Sequence, residues 1–426
     1  MTRLAAVDAQ TYWMSAKIPN DQFLLYAFAG VPADTSAVVD GLRDRAAACP
    51  DLTVRIVDDS RLRYPGWVAG AVGHDQFEVH GASQLDWTAC LDTVAGLADR
   101  QLDPRLAAWR LHLFAPVTGV PGTSDPVTVA VVQMVHALAD GTRAAELAAW
   151  LFGRPATVAA VPSVRRGSLL ARAVVASRTH RALVRDMAAG RTPAPPPPRP
   201  ALSVNAAPSG PRRVRTLVRH RSALCDGPMT VTIAALAAIG AALADHLRDR
   251  GEDPALLGAE VPMRKPGIRL AHNHFGNVGI GLYPELPLAA RAEAMMVDFR
   301  AARARAEHPA ALAARRSFAA VPAPLLRWGV AQFDPTVRSP VVTGNTVVSS
   351  INRGPADLRL GDAPVLLTAG YPALSPMMAL THGVHGIGDT VAVSVHAACA
   401  IDLEDYVARL DRALPRGNTA GTVPSD

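Results

Sequence analysis

The chain has 426 residues, 49% of them hydrophobic and only 19% charged. That composition excludes disorder over the whole length and supplies enough apolar surface for two or three domains at roughly 150 residues each. The net charge is +6, carried almost wholly by arginine, with Lys17 and Lys265 the only lysines. The arginines are spread out and no recognisable module gathers them on one face, so nucleic acid is not an expected partner. A basic surface of this kind suits a phosphorylated co-substrate or an acidic lipid surface equally well.

Cys49, Cys90, Cys225 and Cys399 lie far apart with no Cys-x-x-Cys spacing, so neither a zinc site nor a disulfide framework is expected. Reduced thiols suit a cytoplasmic protein, open to peripheral contact with a membrane. Residues 1–10 carry Asp8 and no long apolar core, unlike a signal peptide. Residues 227–244 are uncharged but rich in Ala, with Thr230 and Thr232 among them, and read as a buried helix rather than a membrane span.

In chain order, residues 22–28 read as a strand, 35–48 as a helix and 54–57 as a strand. A helix at 86–97 and a strand at 105–113 follow. Residues 127–135 (VTVAVVQMV) give the strongest strand signal, β-branched and nearly continuous, as for a strand covered on both faces. They lead into His136, and a helix over 142–152 follows, stopped by Gly153.

The stretch 165–191 is basic and helical in pattern. Residues 191–200 (RTPAPPPPRP) can neither continue a helix nor enter a central strand, and read as a semi-rigid exposed linker. Beyond it come a strand at 213–220, a helix at 230–248, strands at 258–263 and 276–284, a helix at 289–307, a β-rich region at 346–395 and a helix at 403–414. This predicts two α/β halves: a domain at 1–160, a crossover linker at 161–212, a second domain at 213–416 and a flexible tail at 417–426.

The chemistry concentrates in His136-Ala137-Leu138-Ala139-Asp140-Gly141. A strong strand delivers a histidine into a turn, an aspartate follows four residues later, and a glycine lets the chain turn into a helix. A neutral imidazole at a strand end can serve as general base toward a hydroxyl, whose own pKa lies far above seven. Asp140 can anchor the loop through an arginine. His272 and His274 read as turn or cleft-mouth residues, since no acidic cluster accompanies them to make a metal site. His382 and His385, set among glycines, read as turn residues.

Residues 127–153, centred on MVHALADGTRAAELAAWLFG, resemble the active-site segment of bacterial wax ester synthase/diacylglycerol acyltransferases. These enzymes are part of a superfamily that includes CoA-dependent acyltransferases and peptide-synthetase condensation domains. The resemblance continues in order along the chain. It takes in Ala6-Val7-Asp8-Ala9, Leu102-Asp103, 108–113 (AWRLHL), 203–213 (SVNAAPSGPRR), Val261-Pro262-Met263-Arg264, Phe275-Gly276-Asn277, Glu285-Leu286-Pro287 and 349–355 (SSINRGP).

The resemblance implies an α/β fold of two chloramphenicol-acetyltransferase-like domains, with the active site in a tunnel at their interface. A thioester donor, acyl-CoA or an acyl-carrier protein, enters from one face, and a small-molecule or lipid acceptor from the other. His136 maps to the family's base. Asp140 and Gly141 map to its structural positions, with Arg55 expected as the arginine that pairs Asp140. Gly276, Asn277, Ser349 and Asn352 are expected on the tunnel wall. No bound cofactor and no metal are implied. Two departures stand out. Val135 replaces the first histidine of the family's His-His pair, and Thr232-Ile233 replaces its Asn-Asp. Ester formation from acyl-CoA is the activity implied. A condensation-like tailoring acyltransferase and a catalytically silent binding protein on the same fold are the alternatives.

Overall fold

In the computed structural model, the described residues are 1–81, 85–156, 158–162, 167–225 and 229–416. The expected tail at 417–426 and the start of the basic stretch at 165 lie outside them. Two mixed sheets organise the chain. The first has seven strands, led from one edge by Arg359–Leu360, Ala363–Gly370, Gln22–Ala29, Val127–Met134, Trp109–Thr118 and Phe77–His80; Leu85–Asp86 also pairs with Trp109–Thr118. The second has six, in the order Arg213–His220, Thr390–Ala397, Leu380–Ile387, Thr346–Asn352, Gly258–Arg264, Phe275–Gly281.

Val127–Met134 sits where its composition demands. All eight residues are buried, and antiparallel strands flank both edges: Gln22–Ala29 on one side and Trp109–Thr118 on the other. The strand expected at 105 starts at Trp109 instead. The Asp103 carbonyl accepts from the Leu106 and Ala107 amides, and its carboxylate accepts from the Arg105 amide, which closes a turn ahead of the strand.

One strand and one helix of the second half join the first half's sheet and core. Gln22–Ala29 is apolar on both faces, and with Val127–Met134 on one side its other edge would leave backbone groups unpaired. Ala363–Gly370, from the second half, covers that edge as an antiparallel partner. Helix Ala323–Gln332 also contributes Ala323, Leu326 and Val330 to the core of the first half. The segment 213–416 is therefore not self-contained.

The second half is organised around helix Val231–Arg248. It is long and apolar enough to cross a membrane by length and composition, but most of it is buried within the protein against the six-stranded sheet. Thr230 caps its first turn by accepting from the Ile233 amide. Helix Leu169–Ala188 follows the first half and buries none of its residues.

Asp21, at the entry to Gln22–Ala29, is 4% exposed and accepts from the Leu102 amide and from Gln133 Nε2, both at 2.8 Å. Burial outweighs these donors and pushes its pKa up to about 6 from 3.8. The folded pKa lies above the unfolded one. The associated stability is therefore complete below about pH 3.8 and is lost as pH rises through about 6, by on the order of 3 kcal/mol. Asp21→Asn should remove that slope. Melting curves recorded from pH 4 to 7 should fall less steeply in the variant than in the wild type; parallel curves would show that Asp21 is not the titrating group.

Candidate active site

After Met134 the chain turns, with the Leu138 amide donating to the Val135 carbonyl. Helix Gly141–Leu151 follows, and Asp140 is its N-cap, Oδ1 accepting from the Arg143 amide at 3.0 Å. An aspartate suits that position because it satisfies a free amide and faces the positive end of the helix dipole. At Gly141 an added Cβ would meet the Ile351 Cδ1 methyl of the strand Thr346–Asn352, so the two segments approach closely here. The motif loop is thus in contact with the second half from its first helical residue.

The rest of the loop is held by residues 269–275, also from the second half. Arg269 pairs with Asp140 through both terminal nitrogens, at 2.8 Å and 3.2 Å. The His274 amide donates to Asp140 Oδ2 at 2.8 Å, and the Asp140 amide donates to the His272 carbonyl at 3.3 Å. His272 Nδ1 donates to the Leu138 carbonyl at 2.6 Å. Burial by itself would raise the pKa of Asp140, but Arg269 and the two backbone donors outweigh it and hold the carboxyl below the usual range.

Beneath this segment lies Asp8, on helix Ala6–Ser15 and fully buried. It accepts from the amides of His272 and Asn273 and from Asn273 Nδ2. Asn273 Nδ2 also donates to the His136 carbonyl at 2.8 Å. Asp8, Asn273 and the backbone of His136 therefore form one chain of hydrogen bonds joining both halves.

The His136 ring is half-buried and stacks on Phe275, with centroids 5.5 Å apart. Its Nδ1 is sealed from solvent without a hydrogen-bond partner. Among the described residues Nε2 has no partner either, and it is not sealed in the same way. Burial pulls the pKa of His136 below 6.5, partly opposed by its own carbonyl, Asn273, Asp140 and Asp8. At neutral pH the imidazole is uncharged and can accept a proton at Nε2. Val135, where the family has its first histidine, is packed into the core of the first half, so its side chain does not line the same space.

Arg55 is not the partner of Asp140. It is exposed on the strand Val54–Val57 and lines a surface depression with Thr53, Gly70 and Leu106. The segment around it contributes the opposite charge: Asp51 pairs at 2.9 Å with Arg143, which is fully buried. The positive partner of Asp140 comes from the other half.

The expected wall residues divide. Gly276 is half-buried beside Phe275, but Asn277 is exposed and donates to Glu260 Oε2 at 3.1 Å. Ser349 is half-buried. Its neighbour Ser350 is the one that bonds Thr232, at 2.7 Å. Asn352 is exposed and caps a turn, accepting from the Gly354 amide. From this strand it is Ile351 that meets the motif.

His382 and His385 are not turn residues. They lie buried on the central strand Leu380–Ile387, and His382 is bracketed by Thr346 Oγ1 at 2.9 Å and the Tyr406 hydroxyl at 2.7 Å. Burial lowers the His382 pKa to about 3. The intervening glycines give a turn-like composition, but strands on both sides fix the segment in the sheet.

Arg269, Asn273 and Asp8 are the site residues that sequence reading missed. Asp8 falls in a matched family segment, and Asn273 sits between two histidines that drew attention for another reason. Arg269 had no sequence signal. Asn273→Ala should cost about 1–3 kcal/mol, because Asp8 loses a donor while buried. Urea denaturation checks this, and an unshifted midpoint would show that Asn273 carries no such strain.

No family model matches this sequence, and no curated protein sequence matches it. Solved structures do. The wax ester synthase/diacylglycerol acyltransferase from Marinobacter aquaeolei VT8 aligns over 97% of this chain and 98% of its own, with TM-score 0.62 and 19% identity. The chain has the wax ester synthase/diacylglycerol acyltransferase-like fold. That two-domain acyltransferase and condensation fold also appears in TRI3 trichothecene 15-O-acetyltransferase from Fusarium sporotrichioides (TM-score 0.58, 12% identity, 97% and 95% coverage). It appears again in the starter condensation domain of rhizomide synthetase RzmA with C8-CoA and Leu-SNAC (TM-score 0.56, 15% identity, 97% and 92% coverage). Within the acyltransferase-condensation fold, His136 is at the seam between halves.

Proposed function

We propose that the protein is an acyltransferase that moves an acyl group from a thioester, acyl-CoA in the first instance, to an alcohol, with His136 as the general base. The observation that carries the reading is the setting of His136: its backbone is held from the second half, Nδ1 is sealed and Nε2 is left as the nitrogen able to act, while burial favours the neutral ring. Nε2 takes the proton of the acceptor hydroxyl as its oxygen bonds to the thioester carbonyl carbon. The tetrahedral oxyanion then collapses, the carbon–sulfur bond breaks, and the thiolate recovers the proton from the imidazolium.

Seating two substrates at the seam supplies the remaining rate through orientation. Asp140 and Arg269 do not touch the reacting atoms in this scheme; they position the loop. The fold is shared with a wax ester synthase, a trichothecene O-acetyltransferase and a condensation domain, which supports acyl transfer as the reaction class and leaves chain length and acceptor to experiment. The test is release of free thiol from a panel of acyl-CoAs with short and long alcohols, alongside a carrier-protein thioester. Acceptor-dependent release from a CoA donor supports the reading. Release from the carrier thioester alone would move the protein to condensation-like chemistry, and release from neither would overturn it.

A further inference from the structure

We infer that Glu78, His80 and His112 form a binding site for a divalent transition-metal ion of the zinc class, on the outer edge of the first sheet and separate from His136. Glu78 and His80 are two residues apart on the edge strand Phe77–His80, so both side chains face the same way. The neighbouring parallel strand places His112 directly opposite Glu78. His80 Nε2 lies 3.1 Å from His112 Nδ1; Glu78 oxygens lie 3.3 Å from His112 Nδ1 and 3.6 Å from His80 Nε2.

Those separations match a metal geometry. Bonds of about 2.0–2.1 Å directed tetrahedrally set neighbouring ligand atoms about 3.3–3.4 Å apart, whereas the same bonds at right angles would set them about 2.9 Å apart. The two Glu78 distances, from Oε2 to His112 and from Oε1 to His80, lie at or above the tetrahedral value, and the His80–His112 distance falls between the two geometries. Two imidazoles and a carboxylate suit zinc and its neighbours in the first transition row, not magnesium or calcium, which prefer all-oxygen sites.

The surroundings fix the ligands. Gln133 Nε2 donates to Asp21 Oδ2 and to the Arg100 carbonyl, both at 2.8 Å, so its Oε1 must face His112 Nε2, 3.0 Å away. His112 Nε2 is therefore the protonated nitrogen. Its Nδ1 carries the lone pair, which accepts from His80 Nε2 at 3.1 Å; the same lone pair turns to a metal once the His80 proton moves to His80 Nδ1, with Gln133 orienting the His112 imidazole from outside. The His80 ring lies flat on Phe114, with centroids 4.2 Å apart and planes at 6°. Two cations oppose an incoming ion: Arg100 at 3.3 Å and Arg110 at 3.6 Å from Glu78. The Arg100 side chain is 56% exposed and can turn out to water.

The experiment is titration of the full-length, metal-stripped chain with zinc chloride, followed by calorimetry and thermal melting, with magnesium chloride as control. Saturable uptake near one ion per chain is expected, together with a rise in melting temperature that magnesium does not produce. His80→Phe keeps the stack on Phe114 and should weaken zinc binding by about 100-fold or more, since loss of outer-sphere partners alone costs about 10–100-fold. Arg100→Ala should tighten it. Glu78→Gln, a change at a half-exposed position, should also weaken binding and provides the check if His80→Phe does not fold. Absence of saturable uptake, or equal zinc affinity in wild type, His80→Phe and Glu78→Gln, would overturn the assignment. These outcomes do not depend on whether the protein transfers acyl groups.

Discussion

His136→Ala should lower the rate of acyl transfer by about 10²-fold or more, the contribution of a positioned general base, while leaving the protein folded. The ring is half-buried at the seam and its Nδ1 has no hydrogen-bond partner, so its removal disturbs little of the polar network, which runs through the backbone. Its backbone carbonyl, which Asn273 holds, is kept in the variant. The melting temperature should therefore move little while the rate collapses. The pH profile of the wild type carries a matching signature. Burial puts the His136 pKa below 6.5, and a base works only when unprotonated. Activity should persist as pH falls to 6.5 and drop below it. A variant that keeps more than about a tenth of the wild-type rate would remove His136 from the mechanism.

Asp140→Ala should unfold the protein more readily and abolish activity together. The carboxylate pairs with Arg269 and accepts from the amides of Arg143 and His274. Removing it leaves a guanidinium that is largely out of water with no counter-charge, and strips the helix cap, at a cost of about 3–5 kcal/mol. Arg269→Ala should be comparable, because it strands the carboxylate instead. The double variant should then cost less than the two single changes added together, which a double-mutant cycle measures directly. The sign with pH follows from the depressed pKa of Asp140. Its folded value lies below the unfolded 3.8, so its contribution is complete above about pH 3.8 and disappears as pH falls through the lower, folded value. Additive single variants would show that the two residues do not act on each other.

Local pattern made much of this legible. Val127–Met134 is continuous and β-branched, and folds as the buried central strand that such composition favours. Asp140 and Gly141 sit between that strand and a helix, and the cap is local, so the strand, the cap and the helix are legible from adjacent residues. What failed was anything set by contacts across the seam. Arg269 lies 129 positions from Asp140, and no periodicity connects them. Arg55 was expected from segment order along the chain, but the buried pair in that region is Asp51 with Arg143. The strand Ala363–Gly370 pairs the open backbone edge of a buried strand in the other half's sheet, a demand visible only once the sheet is assembled. His382 and His385 were misread because glycine signals a turn locally, while strand pairing on both sides overrides it. Glu78, His80 and His112 drew no attention because parallel pairing of two strands, not sequence spacing, brings them together.

The proposed reaction is direct transfer, in which the acyl group would pass from thioester to acceptor with His136 as base and no acyl-enzyme between. Rapid mixing of the protein with acyl-CoA alone, at protein concentrations high enough to see a single turnover, tests it most directly. No burst of free thiol is expected until an alcohol is added, and then release with a rate that His136→Ala suppresses. A stoichiometric thiol burst in the absence of acceptor, with the acyl mass retained on the protein, would contradict it.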